Sequence, residues 1–528
     1  MNNEAEQLHK SAIAALNRGD LRNLHQCCQA LLKLQPEHAD GWFLLGIVAS
    51  SQGQLAQAVN LFDRALGFAP QQPDYLAQKA KCLCMLKRDK EALSAAHAAI
   101  ALNPEKALIL DTLGVVMTNL GQYQEARELL AQAVARQPQR LQFQFNLATA
   151  EQFLGNIDAA RHHYQQALSL NPEFTRAHWA LSELEKERLT GERIPELERL
   201  IGKPGLNPED QLYLAHALSR EYEQQGNHVR AFDILVDAKQ RRRAQIQYNP
   251  AEDSAIFEAL KKAFSSSQIR TDADSKQGED CIFIVGMPRT GTTLVERILS
   301  SHSEVSSLGE LQNFGMAVRQ SVESKSRVLL NDEIVEKALQ VSASAIGSAY
   351  LTSLQDRRSD AGHFIDKMPL NFLYTGFIAR CLPASKIICL HRNPMDTCLS
   401  NFRQLFAMNF SYYNYHYDLE DTARYIVAFE QLMAFWEQLL PGRVFHLHYE
   451  KLTRTPEPVV RDLLNHCQLP WQSACLEFHK NREAVATPSA SQVREKLYTR
   501  AVGRWQKYQQ QLAPAAAIFR QAGLNYDG

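Results

Sequence analysis

The chain has 528 residues, too many for one ordinary hydrophobic core, so two or more domains are expected. Its 57 basic and 58 acidic side chains nearly cancel and 45% of residues are apolar, which excludes a global pull toward nucleic acid or an anionic membrane. The opening "MNNEAEQLHKSAIAALNRGD" is polar, and no run of about 18 apolar residues is present to span a bilayer, so a cytoplasmic protein without a membrane span is expected.

The first half is periodic. Prolines stand at 36, 70, 104, 138 and 172, each 34 residues after the last. Ala58, Ala92, Ala126 and Ala160 share one phase, and Ala65, Ala99, Ala133 and Ala167 another. Phe62, Leu130 and Tyr164 occupy one large-apolar slot, from which Ala96 departs; Leu45-Gly46 recurs as Leu113-Gly114. Over roughly residues 3–185 this resembles the tetratricopeptide repeat: an antiparallel helix pair per unit, small residues for close approach, and proline ending the second helix. The stretch 186–207 breaks the phase, and Tyr222, Gly226, Ala231, Leu235 and Ala238 continue it in a degenerate pair, which extends the expected array to 245. Such arrays bind a protein or peptide; a spacer or dimerisation arm is the alternative, which leaves a homo-oligomer open. The ten cysteines are scattered, and neither Cys27-Cys28 nor Cys82-x-Cys84 has zinc-site or redox spacing, so free buried thiols are expected.

Residues 246–280 read as a linker, ending in the polar run "SSSQIRTDADSKQGED". After it, "CIFIV" (281–285), "HFID" (363–366), "KIICLH" (386–391) and "VFHLHY" (444–449) read as buried parallel strands between helical patterns. The expected fold is an all-α solenoid followed, over 281–525, by an α/β domain with a parallel sheet and its ligand at the strand C-termini.

The first strand runs into "GMPRTGTTLVERILSSH". Gly286 and Gly291 have the spacing of a phosphate loop, Arg289 supplies a forked cation, and Thr290, Thr292 and Thr293 supply hydroxyls at a helix start. A plain strand–turn–helix corner would need only the glycines. Where a nucleoside triphosphatase carries lysine after the second glycine this chain has Thr292, and no acidic strand end suited to magnesium follows. The loop is therefore expected to hold an anion without a metal.

"PRTGTT" after a strand resembles the 5′-phosphosulfate loop of sulfotransferases, whose donor is 3′-phosphoadenosine 5′-phosphosulfate. Arg392 and Ser400, eight apart, are similar to the pair that grips the donor's 3′-phosphate, although a helix cap and a surface ion pair would leave the same residues. The chain looks most like tyrosylprotein sulfotransferase and, with its repeats, like bacterial tetratricopeptide-repeat sulfotransferases. That resemblance implies Glu310, 21 after Arg289, as general base, with Lys367 of "DKMP" near the transferring group. It implies donor contacts from Tyr449 of "YEKL", from Ser489 and Gln492 of "SASQV", and from Arg504 of "GRW" in place of the family's lysine. Arg289, Lys367 and Ser489 would stabilise charge on the leaving oxygen. A further donor arginine of the family falls on Gln404, beside Arg403. Glu310 would otherwise be a helix-start carboxylate, and His302 and His391 read as structural.

Five aromatics between Phe410 and Tyr417 would wall an acceptor cleft or pack as an ordered loop, and "DLED" (418–421) would attract basic substrate or cap a helix. The leading expectation is sulfuryl transfer to a hydroxyl acceptor, a tyrosine-like protein or peptide brought by the repeats. The same chemistry on a carbohydrate or small-molecule hydroxyl, and a non-catalytic scaffold with a degenerate nucleotide-binding domain, are the alternatives.

Overall fold

The structure is a computed structural model that describes residues 2–185, 188–265, 275–324, 326, 328, 330–358, 361–408, 410–481 and 492–526. Two compact units divide it, Met1–Leu184 and Glu185–Gly528.

The first unit is helical throughout. First helices of each pair are α1 (Asn2–Asn17), α3 (Ala39–Ser51), α5 (Pro73–Met85), α7 (Ala107–Asn119), α9 (Leu141–Leu154) and α11 (Thr175–Leu184). Second helices are α2 (Leu21–Leu34), α4 (Leu55–Phe68), α6 (Asp89–Ala101), α8 (Tyr123–Arg136) and α10 (Ile157–Leu170), each ending shortly before one of the periodic prolines. Both alanine series are fully buried. A methyl group on Gly46 would lie 2.4 Å from the Phe62 ring, and one on Gly114 would lie 2.5 Å from Leu130, so each glycine makes the room that its large partner fills. Where the large residue shrinks to Ala96, the position in register with those glycines is Ala80, and both are buried.

The second unit opens with α12 (Ile194–Ile201), α13 (Pro208–Gln224), α14 (His228–Arg243) and α15 (Pro250–Ser265). The α13–α14 pair, expected as a continuation of the repeat array, also packs on the α/β elements. Lys239 of α14 is wholly buried and donates to the carbonyls of Gln404 (3.3 Å) and His416 (3.2 Å), and Phe232 stacks on Phe402. Residues 250–265, expected as linker, are helical because Phe257, Leu260 and Phe264 form an apolar stripe; it docks on Phe372, Phe377, Tyr425 and Trp436.

The sheet has strands β1 (Cys281–Gly286), β2 (Val305–Ser307), β3 (His363–Asp366), β4 (Lys386–His391) and β5 (Val444–His448), all parallel, in the order β2-β3-β1-β4-β5. The four strands read from sequence are present; β2 adds a fifth, and Tyr449 opens a helix rather than ending β5. Between strands lie α16 (Thr292–Leu299), α17 (Asn313–Ser321), α18 (Asp332–Gln340), α19 (Ala343–Ser353), α20 (Thr375–Cys381), α21 (Pro394–Phe402) and α22 (Leu419–Leu439); α23 (Tyr449–Arg454), α24 (Pro456–His466) and α25 (Ala513–Gln521) follow. Alternation along β1 sends Ile282 and Ile284 to a core with α16 and α24, while Phe283 meets Phe314 and Tyr350 on the other face. From β1 the chain goes to the edge strand β2, returns to β3 between β2 and β1, and then crosses to β4 and β5 on the other side of β1. Such a reversal opens a crevice past the ends of β1 and β4, the usual ligand position in this architecture.

Candidate active site

The loop after β1 is strained in the manner of an anion-binding turn. Gly286 and Gly291 have φ of +142° and +108°, and Arg289, which is not glycine, sits at +68°. A non-glycine residue in that region costs roughly 1–3 kcal/mol and clusters at functional sites. Thr290 Oγ1 ties the turn by donating to the Met287 carbonyl at 2.7 Å, and Thr292 and Thr293 open α16, whose first amides have no intrahelical acceptor. A Cβ on Gly291 would come within 2.7 Å of the Tyr449 ring, so Tyr449 stands directly over the loop.

Arg392 follows β4 and binds the loop from the neighbouring strand. Its Nη1 donates to the Arg289 carbonyl (3.1 Å) and reaches Ser400 Oγ (3.5 Å), while its guanidinium lies 5.0 Å from the Tyr449 ring centre. Nη2 donates to the Ala501 carbonyl and lies 3.8 Å from Asp396. Nε of Arg392 is buried without a partner among the described residues. An orphaned guanidinium N–H beside a hydroxyl at a strand–helix junction fits a phosphate oxygen. Asp396 also accepts from the amides of Gly503 (2.7 Å) and Trp505 (3.0 Å), which brings the "GRW" segment to the same junction.

A second cluster forms at the end of β3. Lys367 is buried and donates to Glu310 Oε1 at 2.6 Å; Glu296 Oε2 lies 3.5 Å away. The backbone fixes this meeting, since the Lys367 amide donates to the Gly309 carbonyl at 3.0 Å. Burial opposes the Lys367 ammonium, but the Glu296 and Glu310 carboxylates prevail and hold its pKa above the ordinary lysine value. Glu310 therefore spends its carboxylate on Lys367, not on the start of α17. Glu296, on α16, was invisible as a partner in sequence. Asp366 ends β3 where a magnesium-binding acid would stand, yet Tyr350 (2.9 Å) and Asn371 (3.3 Å) donate to it and burial raises it to about 7.

The aromatic stretch divides into a buried part and a partly buried part. Tyr415 and Tyr417 are buried, and Tyr415 donates to Asn401, whose amide donates to the Pro288 carbonyl at 2.8 Å, bracing the loop from behind. Tyr412 and Tyr413 are only partly buried and stand near Glu310; burial first, then that charge, pushes both phenols up. Asp418 of "DLED" caps α22 by accepting from Glu420 (2.9 Å) and Asp421 (3.0 Å).

Other expected residues lie elsewhere. Arg504 donates to Glu223 of α13 at 2.8 Å, and Arg403 pairs with the same carboxylate, while Gln404 is buried beside Lys239. Ser489 falls outside the described residues, and Gln492 is described only as the start of a short 3-10 turn. His302 Nε2 donates to the Pro470 carbonyl (2.9 Å) and its Nδ1 accepts from Glu304 N, a structural role. The ten cysteines are free thiols, nine of them buried. A cavity of about 520 Å³ borders Arg392 and is lined by His391, Glu430 and His448 but by no residue of the β1–α16 loop.

Repeat helices joined to an α/β domain with a phosphate-type loop define the class. Residues 281–473 match the sulfotransferase family model, and residues 9–73, 107–137 and 145–208 match tetratricopeptide repeat models. The chain thus carries tetratricopeptide repeats and a sulfotransferase-family domain. An uncharacterized protein of Aquifex aeolicus (strain VF5) is 30% identical over 454 residues, covering 85% of this chain and 55% of that protein. A putative protein-tyrosine sulfotransferase of Caenorhabditis briggsae is 25% identical over 43% of this chain and 81% of its own length. Protein-tyrosine sulfotransferase 1 of Danio rerio is 26% identical over 38% of this chain and 56% of its length. The chain therefore spans little more than half the length of two of these three relatives. A tetratricopeptide repeat protein from Parabacteroides merdae, 18% identical with a TM-score of 0.34, covers 47% of this chain and 94% of its own.

Proposed function

We propose that the protein is a sulfotransferase that uses 3′-phosphoadenosine 5′-phosphosulfate and transfers its sulfuryl group to a hydroxyl, on a protein or peptide brought by the repeats. The observation that carries this reading is the hydrogen bond between Glu310 and Lys367 beside the lysine-free phosphate loop, within a domain matching the sulfotransferase family. Arg392 and Ser400 would take the donor's 3′-phosphate, and Arg289 with the amides and hydroxyls of Thr290, Gly291, Thr292 and Thr293 its 5′ end. Tyr449 would pack on the donor, and Ser489 and Gln492 would complete its surroundings, while Arg504, engaged by Glu223, would not. Ten free thiols and the absence, among the described residues, of any helix long and apolar enough to cross a membrane support a reducing, cytoplasmic setting.

The donor supplies an activated sulfuryl group. Glu310 takes the acceptor's proton as the acceptor oxygen–sulfur bond forms, and the bond from sulfur to the bridging phosphate oxygen breaks, leaving adenosine 3′,5′-bisphosphate. Lys367 is shared by two carboxylates, so it can move toward the leaving oxygen while Glu296 keeps it oriented. Freed of that bond, Glu310 accepts the proton. Arg289 and Ser489 add to the stabilisation of the leaving oxygen. The partly buried Tyr412 and Tyr413 suit an aromatic acceptor; they also suit a sugar ring, which keeps a carbohydrate acceptor as the second reading.

Transfer of labelled sulfate from the donor into a lysate, with mass spectrometry of the products, tests the reaction and names the acceptor. Glu310→Ala and Arg289→Ala are expected to lower turnover by roughly two to three orders of magnitude with unchanged far-ultraviolet circular dichroism. A Glu310→Ala protein that keeps more than about a tenth of turnover would remove Glu310 as base.

A further inference from the structure

The ends of β4 and β5 carry two short patterns, Cys389-x-His391 and His446-x-His448. Parallel pairing sets Cys389 opposite His446 and His391 opposite His448, so side-chain alternation puts all four on one face of the sheet. Helix α22 covers that face with Glu430 and Glu437. His391 Nδ1 lies 3.0 Å from Glu430 Oε2, and His446 Nε2 lies 3.2 Å from Glu437 Oε2. An ionised carboxylate only accepts, so each imidazole presents its N–H outward to a glutamate. In the neutral rings the inward nitrogens, His391 Nε2 and His446 Nδ1, then face each other as lone pairs at 2.8 Å. Two lone pairs at that distance repel unless a proton or a metal ion stands between them.

The third group at this point is a thiol. Ligand atoms of Cys389, His391 and His446 all lie within 4.8 Å of one another, with Cys389 and His391 buried and His446 partly so. Two imidazoles whose far nitrogens are held by carboxylates, converging beside a sulfur, are the donor set and the outer support of a zinc-type centre. Zn–N bonds of about 2.0 Å at a tetrahedral angle need the nitrogens about 3.3 Å apart, so the rings have only about 0.5 Å to open. The cavity bordered by His391, Glu430 and His448 touches this cluster at His391, and a fourth position is left for water or His448.

We propose that Cys389, His391 and His446 bind one thiophilic divalent ion, Zn²⁺ by its ligand set. The ion ties β4, β5 and α22 together one residue before Arg392. It is separate from the phosphate loop, whose chemistry calls for no metal.

The test is titration of the full-length, chelator-treated and fully reduced protein with Co²⁺, followed by displacement with Zn²⁺. One equivalent is expected to give tetrahedral visible bands and a thiolate-to-cobalt charge-transfer band. Cys389→Ser should abolish the charge-transfer band. His446→Gln, at a partly exposed position that folding tolerates better, should weaken binding by more than about tenfold, and Glu437→Gln should weaken it by about tenfold with the charge-transfer band retained. Thermal melting of each variant separates lost binding from lost folding. No saturable band at one equivalent, or a band unchanged in both Cys389→Ser and His446→Gln, would overturn the site and leave a shared proton between the two imidazoles.

Discussion

Gly291 is a position where the loop has little freedom to vary. Its φ of +108° disfavours any side chain, and the added methyl would strike the Tyr449 ring at 2.7 Å. Gly291→Ala is expected to cost about 1–3 kcal/mol and to weaken binding of adenosine 3′,5′-bisphosphate at least tenfold; thermal melting and calorimetry measure the two effects. Neighbouring residues differ in how readily sequence disclosed them. A family pattern singled out Glu310 and Lys367 separately, but their hydrogen bond was not legible, because it depends on the pairing of β3 with the short strand β2. Glu296 and Asn401 had no such signal. Each lies on an ordinary helical face, and only folding shows that one touches Lys367 and the other the Pro288 carbonyl. Glu223 was equally hidden, 180 residues before its partner Arg403.

Helices in the first unit were legible because a repeat writes its packing several times. Glycine at 46 and 114 and a large residue 16 further on form one packing device. Gly46→Ala would drive a methyl into the Phe62 ring, and a loss of about 1–3 kcal/mol is expected by urea denaturation, partly restored by the second change Phe62→Leu. Equal stability of Gly46→Ala and the parent would contradict this packing. Four strands were legible from β-branched runs, but β2 has only three residues, "VSS", too few for alternation to register. Helix α15 was missed for another reason. Its polar flanks disguised the stripe of Phe257, Leu260 and Phe264, and the rings that give the stripe a destination lie more than a hundred residues downstream.

In the chain as a whole, α13 and α14 belong to the compact unit that holds the β1–α16 loop. Their anchor is Glu223, which receives Arg403, Arg504 and Tyr508 together. Burial acts to raise this carboxyl, but the two guanidinium groups and the phenol prevail and hold it at about 2, below its ordinary 4.5. Both arginines stay charged throughout, so the carboxylate is the group that titrates. Its contribution is present above about pH 4.5 and is lost as pH falls toward 2, an effect on the order of 3 kcal/mol. Glu223→Gln should therefore be less stable at neutral pH, with the gap to the parent closing across that acid range; parallel melting curves from pH 5 to about pH 2.5 would contradict the anchor. The central claim is a pocket for a 3′,5′-phosphorylated adenosine that works without a metal. Calorimetric titration of the full chain with adenosine 3′,5′-bisphosphate, once in magnesium and once in chelator, tests it most directly. One saturable site of equal affinity in both, weakened at least tenfold by Arg392→Ala, is the expected result. No binding, or preferential binding of magnesium ATP, would contradict it.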